Sequence, residues 1–425
     1  MRQLALLFFY AGWMLIPFDN LRIAPSLGWA AVSPYFFFAS AVLFVLWRPR
    51  EFAANFLRVK VNRAILLQGL VFLSFLSYLA FGLEPGLVGL TAFKLLLGLG
   101  LLVSFSYVIF LVQADERRGQ RISRKLISML AASYLLAVLC GLAQYLAILG
   151  WGPALPFDLV FARFYPEKVQ FSFTEPSFVS LHVLGIIVPT VLILAPARSR
   201  ARTLLLACGV LLLLISIVSG SSLRALVDCA LFGSGLLLIL PSRKKIKAVS
   251  AMVCGLAIFL ALPSNRLVER VESVLSGEGV ADPSALIRKF RSEAALYGMV
   301  EHPLSAAIGF GFGNSGQAIE SGFDKAYQNM PTSIDLDEIE QLRVRQDGLT
   351  YSMHVKLLAE HGLLGYLLLL LMLFDRRRKI LFFATFVVYL QFDSYAFYTL
   401  WLYIAARIFD RARDEHFVRT VRRAA

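Results

Sequence analysis

The sequence predicts an all-α protein: a polytopic transmembrane helical bundle of about twelve spans with a small helical cap outside the bilayer. Three observations carry this. The 425 residues are 58% hydrophobic, and the apolar residues fall in continuous runs such as Ala64–Leu83, Leu87–Gln113, Leu126–Gly150 and Ile380–Phe397. Runs of about 20 apolar residues match a hydrocarbon core about 30 Å thick. Their apolarity is unbroken rather than alternating, so they read as helices and not barrel strands. The loops between them alternate sharply in Arg and Lys content, and one long polar segment interrupts the series.

In chain order the spans fall near 4–18, 27–47, 64–83, 87–112, 126–149, 180–196, 203–219, 225–241, 248–263, 351–374, 380–397 and 398–410. Arg2 precedes the first run as in a signal peptide, but no small-residue cleavage site follows, so it is expected as an uncleaved span. Basic loops follow at Arg48 to Arg63, Arg117 to Lys125, Arg198 to Arg202, Arg243 to Lys247 and Arg376 to Lys379, with a basic tail from Arg411 to Arg423. Short basic loops stay in the cytoplasm, which places both termini there. The organisation is then 1–263 with nine spans and an outer loop near 151–180, a large outer segment over 264–350, and 351–425 with three spans and the tail.

The formal net charge of +14 is spread over cytoplasmic loops, where it sets topology and meets anionic membrane lipid; nucleic acid is not an expected partner. Cys140, Cys208, Cys229 and Cys254 lie in apolar runs and read as packing residues, with neither a disulfide framework nor a metal site.

Two outward segments depart from the pattern. Trp151–Ser180 is rich in aromatics and proline, and Ser264–Thr350 is the longest polar stretch. The second carries helix signals: Pro283-Ser284 precedes Ala285–Met299, with apolar residues at three and four spacing, and Leu336–Arg345 is another candidate. Long segments of this kind are usually functional.

Cations on the outer side stand out against the topology rule. Arg163 and Lys168 lie in the first outer loop, Arg224 in a short turn, and Arg288, Lys289 and Arg291 on the expected cap helix. Arg224 and Asp228 are one helical turn apart and suit an intrahelical pair. Arginines converging on one point would instead form a fork-shaped clamp for phosphate or diphosphate. Glu175, in Phe173-Thr-Glu-Pro-Ser177, fits ordinary helix-start chemistry, or a general base for a sugar hydroxyl. Lys94, Asp228, Glu360, His361 and Asp393 are ionisable groups inside apolar runs and therefore candidates for function; Lys94 needs an anionic partner, with Glu360 or Asp393 available. Gly311-Phe-Gly-Asn-Ser-Gly316 matches a dinucleotide fingerprint literally, but no strand–turn–helix context surrounds it, so it reads as a tight turn near a ligand.

Taken together these residues resemble the O-antigen ligase and Wzy-type polymerase superfamily. The likeness runs from Arg163 to Phe374. It rests on Arg163 followed by Phe-Thr-Glu175-Pro-Ser, Ser-Leu-Arg224-Ala, and Ile287-Arg288 leading to Glu301-His302-Pro303-Leu and Ile308-Gly-Phe-Gly-Phe-Gly-Asn314. Leu358-Ala-Glu-His-Gly362-Leu-Leu-Gly365 completes it. The resemblance implies a GT-C-like bundle in the bacterial inner membrane and an inverting glycosyl transfer on the periplasmic face, without metal or cofactor. The donor would be an undecaprenyl-diphosphate-linked glycan, and a chain-length regulator protein a further partner. It assigns Arg163, Arg224 and Arg288 to the diphosphate and Glu175 to catalysis, with Lys94, His302 and Asn314 in support. Where the ligases carry a histidine this chain has Tyr351, and His354, three residues on and nearly on the same helix face, could substitute for it; Arg288, Tyr351 and His354 therefore join Glu175 as the expected catalytic residues. The Glu-Pro-Ser segment favours a polymerase over a ligase acting on lipid A core. A transporter or flippase ranks third, because such proteins invest polar residues at the midplane rather than in outer loops.

Overall fold

A computed structural model describes residues 1–22, 32–50, 69, 72–74, 76–77, 85–114, 116–152, 157–194, 199–242, 283–301, 303–329, 349–375 and 378–407. Among these the regular structure is helical, apart from one isolated bridge between Leu21 and Phe161. The expected span 248–263 and the candidate helix Leu336–Arg345 lie outside the described residues, as does most of 64–83.

The apolar helices are α1 (Arg2–Leu15), α2 (Ser33–Trp47), α3 (Pro85–Ala114), α4 (Glu116–Ile148), α5 (Phe178–Leu194), α6 (Arg200–Val218) and α7 (Leu223–Ile239). The segment expected as a cap, hereafter the cap, forms α8 (Pro283–Glu301), α9 (Pro303–Ile308), α10 (Ser315–Ser321) and α11 (Phe323–Gln328). The chain then continues as α12 (Met353–Leu373), α13 (Lys379–Leu390) and α14 (398–407). Among the described residues, four helices are long and apolar enough to cross a bilayer: Gly89–Val112 within α3, Gly119–Ile148 within α4, α6, and α12. The remaining apolar helices are shorter, and α1 has 14 residues. A helix that short rises about 21 Å, and the chain turns at Pro17–Asn20 with Asp19 and Asn20 buried.

Lipid and protein faces separate cleanly. Leu7, Leu46, Leu99, Val210, Leu238 and Leu371 are exposed, while Phe9, Trp13, Phe37, Phe105 and Tyr398 interlock in the core. Exposed leucines in this number are what a hydrocarbon solvent permits; the protein is a helical, membrane-embedded one. Helices are joined by hydroxyls rather than by apolar contact alone. Ser33 donates to the Gly12 carbonyl, Ser40 to Ala5 and Ser104 to Phe37, each from one helix to its neighbour. With lipid as apolar as leucine, such bonds and close packing are what hold neighbouring spans together. α5 contains a π-helical stretch, Val183–Ile187, and Thr399 Oγ1 donates to the Gly185 carbonyl at 2.8 Å within that stretch.

The cap meets the bundle through backbone. α12 is interrupted at Gly362, whose φ of 64° and ψ of −177° are not helical. Interrupting a helix orphans the carbonyls of the preceding turn, and lipid offers no water to satisfy them. Phe310 N donates to Ala359 O at 2.8 Å and Gly311 N to Glu360 O at 2.9 Å, so the cap's glycine-rich turn supplies the missing donors. A Cβ on Gly362 would collide with the Ala307 and Ile308 backbone, and one on Gly309 with Glu360 and His361. Gly309 and Gly311 therefore serve backbone-to-backbone docking on α12, where the sequence reading expected a tight turn near a ligand. Asn314 belongs to the same device: its Nδ2 donates to Phe310 O, and its backbone N–H closes on Gly311 O.

Candidate functional site

The loop before α5 is built first. Gln144 of α4 is buried, and its Oε1 accepts the backbone N–H groups of Gln170 and Phe171 at 2.8 and 2.7 Å, while its Nε2 donates to Phe171 O. Gln170 in turn donates through Nε2 to Phe173 O and Thr174 O, and accepts from the Phe164 and Tyr165 backbone. Phe171 holds a φ of 58°, a conformation that persists only where surroundings over-determine it. These glutamines fix the segment that carries Tyr165 and Glu175. Val169 N donates to Ser221 Oγ, tying the loop to the turn before α7.

Four segments then meet. Glu175 Oε2 accepts from Ser177 Oγ at 2.8 Å and from Arg288 Nη2, on cap helix α8, at 3.5 Å. At the start of α7, Arg224 Nε faces Asp228 Oδ2 at 3.3 Å, and Ser180 Oγ of α5 donates to the same oxygen at 2.6 Å. The pairs are neighbours: the charges of Arg288 and Glu175 act on Arg224, and that of Arg288 on Asp228. Tyr351, at the entry to α12, lies under both Arg288 and Arg291, with guanidinium carbons 5.5 and 5.7 Å from its ring centre. Asp393 accepts the Thr350 and Tyr351 backbone N–H groups through Oδ2, at 2.9 and 3.2 Å, holding Tyr351 at a φ of 58°. Tyr165 closes one side. Burial pushes its phenol above the ordinary range, Glu175 adds to that rise and Arg288 opposes it.

Thus Glu175, Arg224, Arg288 and Tyr351 are brought together, although no two are adjacent in sequence. The intrahelical pair Arg224–Asp228 is present, and it coexists with the cluster rather than replacing it. Arg163 sits differently: its Nη2 donates to Pro166 O at 2.5 Å, and its Nη1 faces Asp158 at 4.0 Å. Its described partners are thus local to its own loop, a correction to the three-arginine convergence. His354 is a second correction. Its Nε2 meets Phe386 O and its Nδ1 meets Tyr366 OH, both at 3.0 Å, and its ring packs on Phe386. Both nitrogens are engaged towards α13 and within α12, so proximity to Tyr351 in sequence does not place His354 in the cluster. Lys94 lies on α3, half-buried. Glu360 lies 3.9 Å from Lys356, one turn back on its own helix, and accepts from Tyr395 OH at 2.8 Å. His302 lies outside the described residues.

Sequence reasoning missed a buried trio deep in the bundle: His182 Nε2 to Asp19 Oδ2 at 2.7 Å, His182 Nδ1 to Tyr134 OH at 2.9 Å, with Phe173 stacked on the imidazole at 4.1 Å. A histidine inside an apolar run was a legible signal; its partners, distant in sequence, were not. Ser180 and Tyr165 were also missed, and nothing in an isolated Ser or Tyr marks them.

No family model, no curated protein and no solved structure matches this chain. Fold and site define a class at this level: a helical membrane-embedded protein with a charged cluster at the entries to α5, α7 and α12.

Proposed function

We propose that the protein is a polysaccharide polymerase of GT-C-like architecture in the bacterial inner membrane. It would transfer an undecaprenyl-diphosphate-linked glycan to a hydroxyl of another lipid-linked repeat unit at the periplasmic face. The observation that supports this best is the gathering of Glu175, Arg224, Arg288, Arg291 and Tyr351 beneath the cap. They come from the α5 entry loop, α7, α8 and the α12 entry. Arginines beside a half-exposed carboxylate, next to helices that present leucine to lipid, suit a lipid-borne anion reacting with a polar acceptor.

In this reading the acceptor oxygen attacks the anomeric carbon from the face opposite the diphosphate. The bond between that carbon and the diphosphate oxygen breaks, and its electron pair leaves with the diphosphate. Glu175 takes the acceptor proton. Arg288 holds Glu175 only at 3.5 Å, with side-chain exposures of 24% and 37%. A diphosphate oxygen can therefore take over the guanidinium and release the carboxylate to act as base. Charge appears on the leaving group as the bond breaks, so a fixed guanidinium there stabilises the transition state more than the ground state.

The test is deletion of the gene with analysis of surface glycans, complemented by wild type, Arg288→Ala and Glu175→Gln. Loss of long chains with single repeat units still reaching the lipid A core supports the polymerase. Absence of any attached glycan supports the ligase alternative. Arg288→Ala should lower transfer by about 100-fold or more, as loss of a transition-state donor does; full complementation by both variants would overturn the assignment.

A further inference from the structure

Two polar atoms in this cluster lack partners, and they belong to the same ion pair. Arg224 Nη2, a donor, and Asp228 Oδ1, an acceptor, are buried and make no hydrogen bond. Their side chains are 6% and 1% exposed. The other halves of both groups are engaged: Arg224 Nε with Asp228 Oδ2, and that oxygen also with Ser180 Oγ. Unpaired buried polar atoms are rare because each forfeits its solvation without return. Here a donor and an acceptor are left open within one ion pair.

The group that satisfies both must accept a hydrogen bond from a guanidinium and donate one to a carboxylate. A hydroxyl does this. A diphosphate oxygen at neutral pH has no proton to donate, and the Asp228 carboxylate would repel it. The resemblance that assigned Arg224 to the diphosphate leaves Asp228 without a role, and Asp228 is what changes the chemistry. We infer that the Arg224–Asp228 pair, held by Ser180, reads a sugar hydroxyl of the glycan, while the diphosphate charge is met on the Arg288 side of the cluster. This rests on the transferase reading and deepens it: the same cluster divides into an anion side and a hydroxyl-reading side, and the second contributes substrate specificity. A site built to hydrogen-bond a hydroxyl discriminates strongly, because a ligand lacking that hydroxyl leaves both atoms unpaired.

The experiment uses the full chain in lipid nanodiscs and two probes. One is undecaprenyl diphosphate without sugar; the other is the lipid-linked glycan extracted from cells that make the protein. Equilibrium affinities are measured for wild type, Asp228→Asn, Arg224→Lys and Arg288→Ala. Asp228→Asn should weaken the glycan-bearing probe about tenfold or more, equivalent to about 1.4 kcal/mol, and leave the sugar-free probe within about twofold. Arg288→Ala should weaken both. Arg224→Lys, which keeps the charge and loses Nη2, should repeat the Asp228→Asn pattern and serves if that variant does not fold. An equal effect of Asp228→Asn on both probes, or none on either, overturns the hydroxyl assignment while the transferase reading stands, and makes the pair a structural one. A wild-type protein that binds neither probe removes both.

Discussion

Gly362→Ala tests the docking of the cap directly. At a φ of 64° and ψ of −177° the backbone lies in a region nearly reserved for glycine, where another residue costs of the order of 1–3 kcal/mol. The added methyl group would also meet the Ala307 carbonyl and the Ile308 nitrogen, backbone atoms that cannot rotate aside. Separating the two chains loses the bonds from Phe310 N to Ala359 O and from Gly311 N to Glu360 O, each worth about 0.5–1.5 kcal/mol net. Those bonds are lost on opening in wild type and variant alike, so the change caused by the substitution is the strain together with the collision, about 3 kcal/mol. A loss of about 3 kcal/mol in local stability raises the opening equilibrium of the docked turn by about 100-fold. Hydrogen exchange followed by mass spectrometry, on protein in detergent or nanodiscs, should show that acceleration in peptides covering 305–314 and 357–364. Gly89→Ala supplies the control. Gly89 is helical, and a Cβ there would meet nothing within 4 Å, so alanine should be neutral or stabilising by up to about 1 kcal/mol. Unchanged exchange in Gly362→Ala would refute the docking argument, because strain and collision would both have to be absent.

Gln144→Leu should leave two buried backbone N–H groups unpaired and the Phe171 carbonyl with only the Cys140 thiol, loosening the loop that carries Glu175 by about 2 kcal/mol or more. Limited proteolysis between 160 and 176 is the readout, and wild-type resistance would show that Gln144 is not what holds the loop. Tyr395→Phe removes the donor to the buried Glu360 carboxylate and should cost about 1.5–3 kcal/mol, measured as a lowered thermal midpoint; an unchanged midpoint would count against that bond. The Tyr165 phenol reports the electrostatics of the cluster. Negative charge on Glu175 disfavours the phenolate, so Glu175→Gln should lower the Tyr165 pKa. Arg288→Ala should raise it, since Arg288 opposes the shift. Tyrosine-labelled NMR titration of both variants checks this, and shifts of the same sign would show that the two groups do not face Tyr165 as described.

Much of this protein was legible before any coordinates. Membrane helices are encoded locally: a bilayer demands long unbroken apolar runs, and composition alone satisfies or fails that demand. The cap helix was readable for the same kind of reason, since Pro283-Ser284 and the apolar spacing up to Met299 are local signals, and Pro283–Glu301 forms it. The pair Arg224–Asp228 follows from helical pitch.

What required the tertiary structure depends on which distant segments meet. His354 and Tyr351 are three residues apart, yet one is bound to Tyr366 and Phe386 and the other lies under Arg288 and Arg291. Spacing along one helix says which residues share a face, not what stands opposite. The glycines of 311–316 read from sequence as a tight turn near a ligand; only the interruption of α12 at Gly362 shows that Gly311, with Gly309 before it, meets another backbone. Sequence fixes each segment's own preferences, because those arise within a few residues. Partnership between Glu175 and Arg288, 113 residues apart, arises from packing, and packing alone decided it.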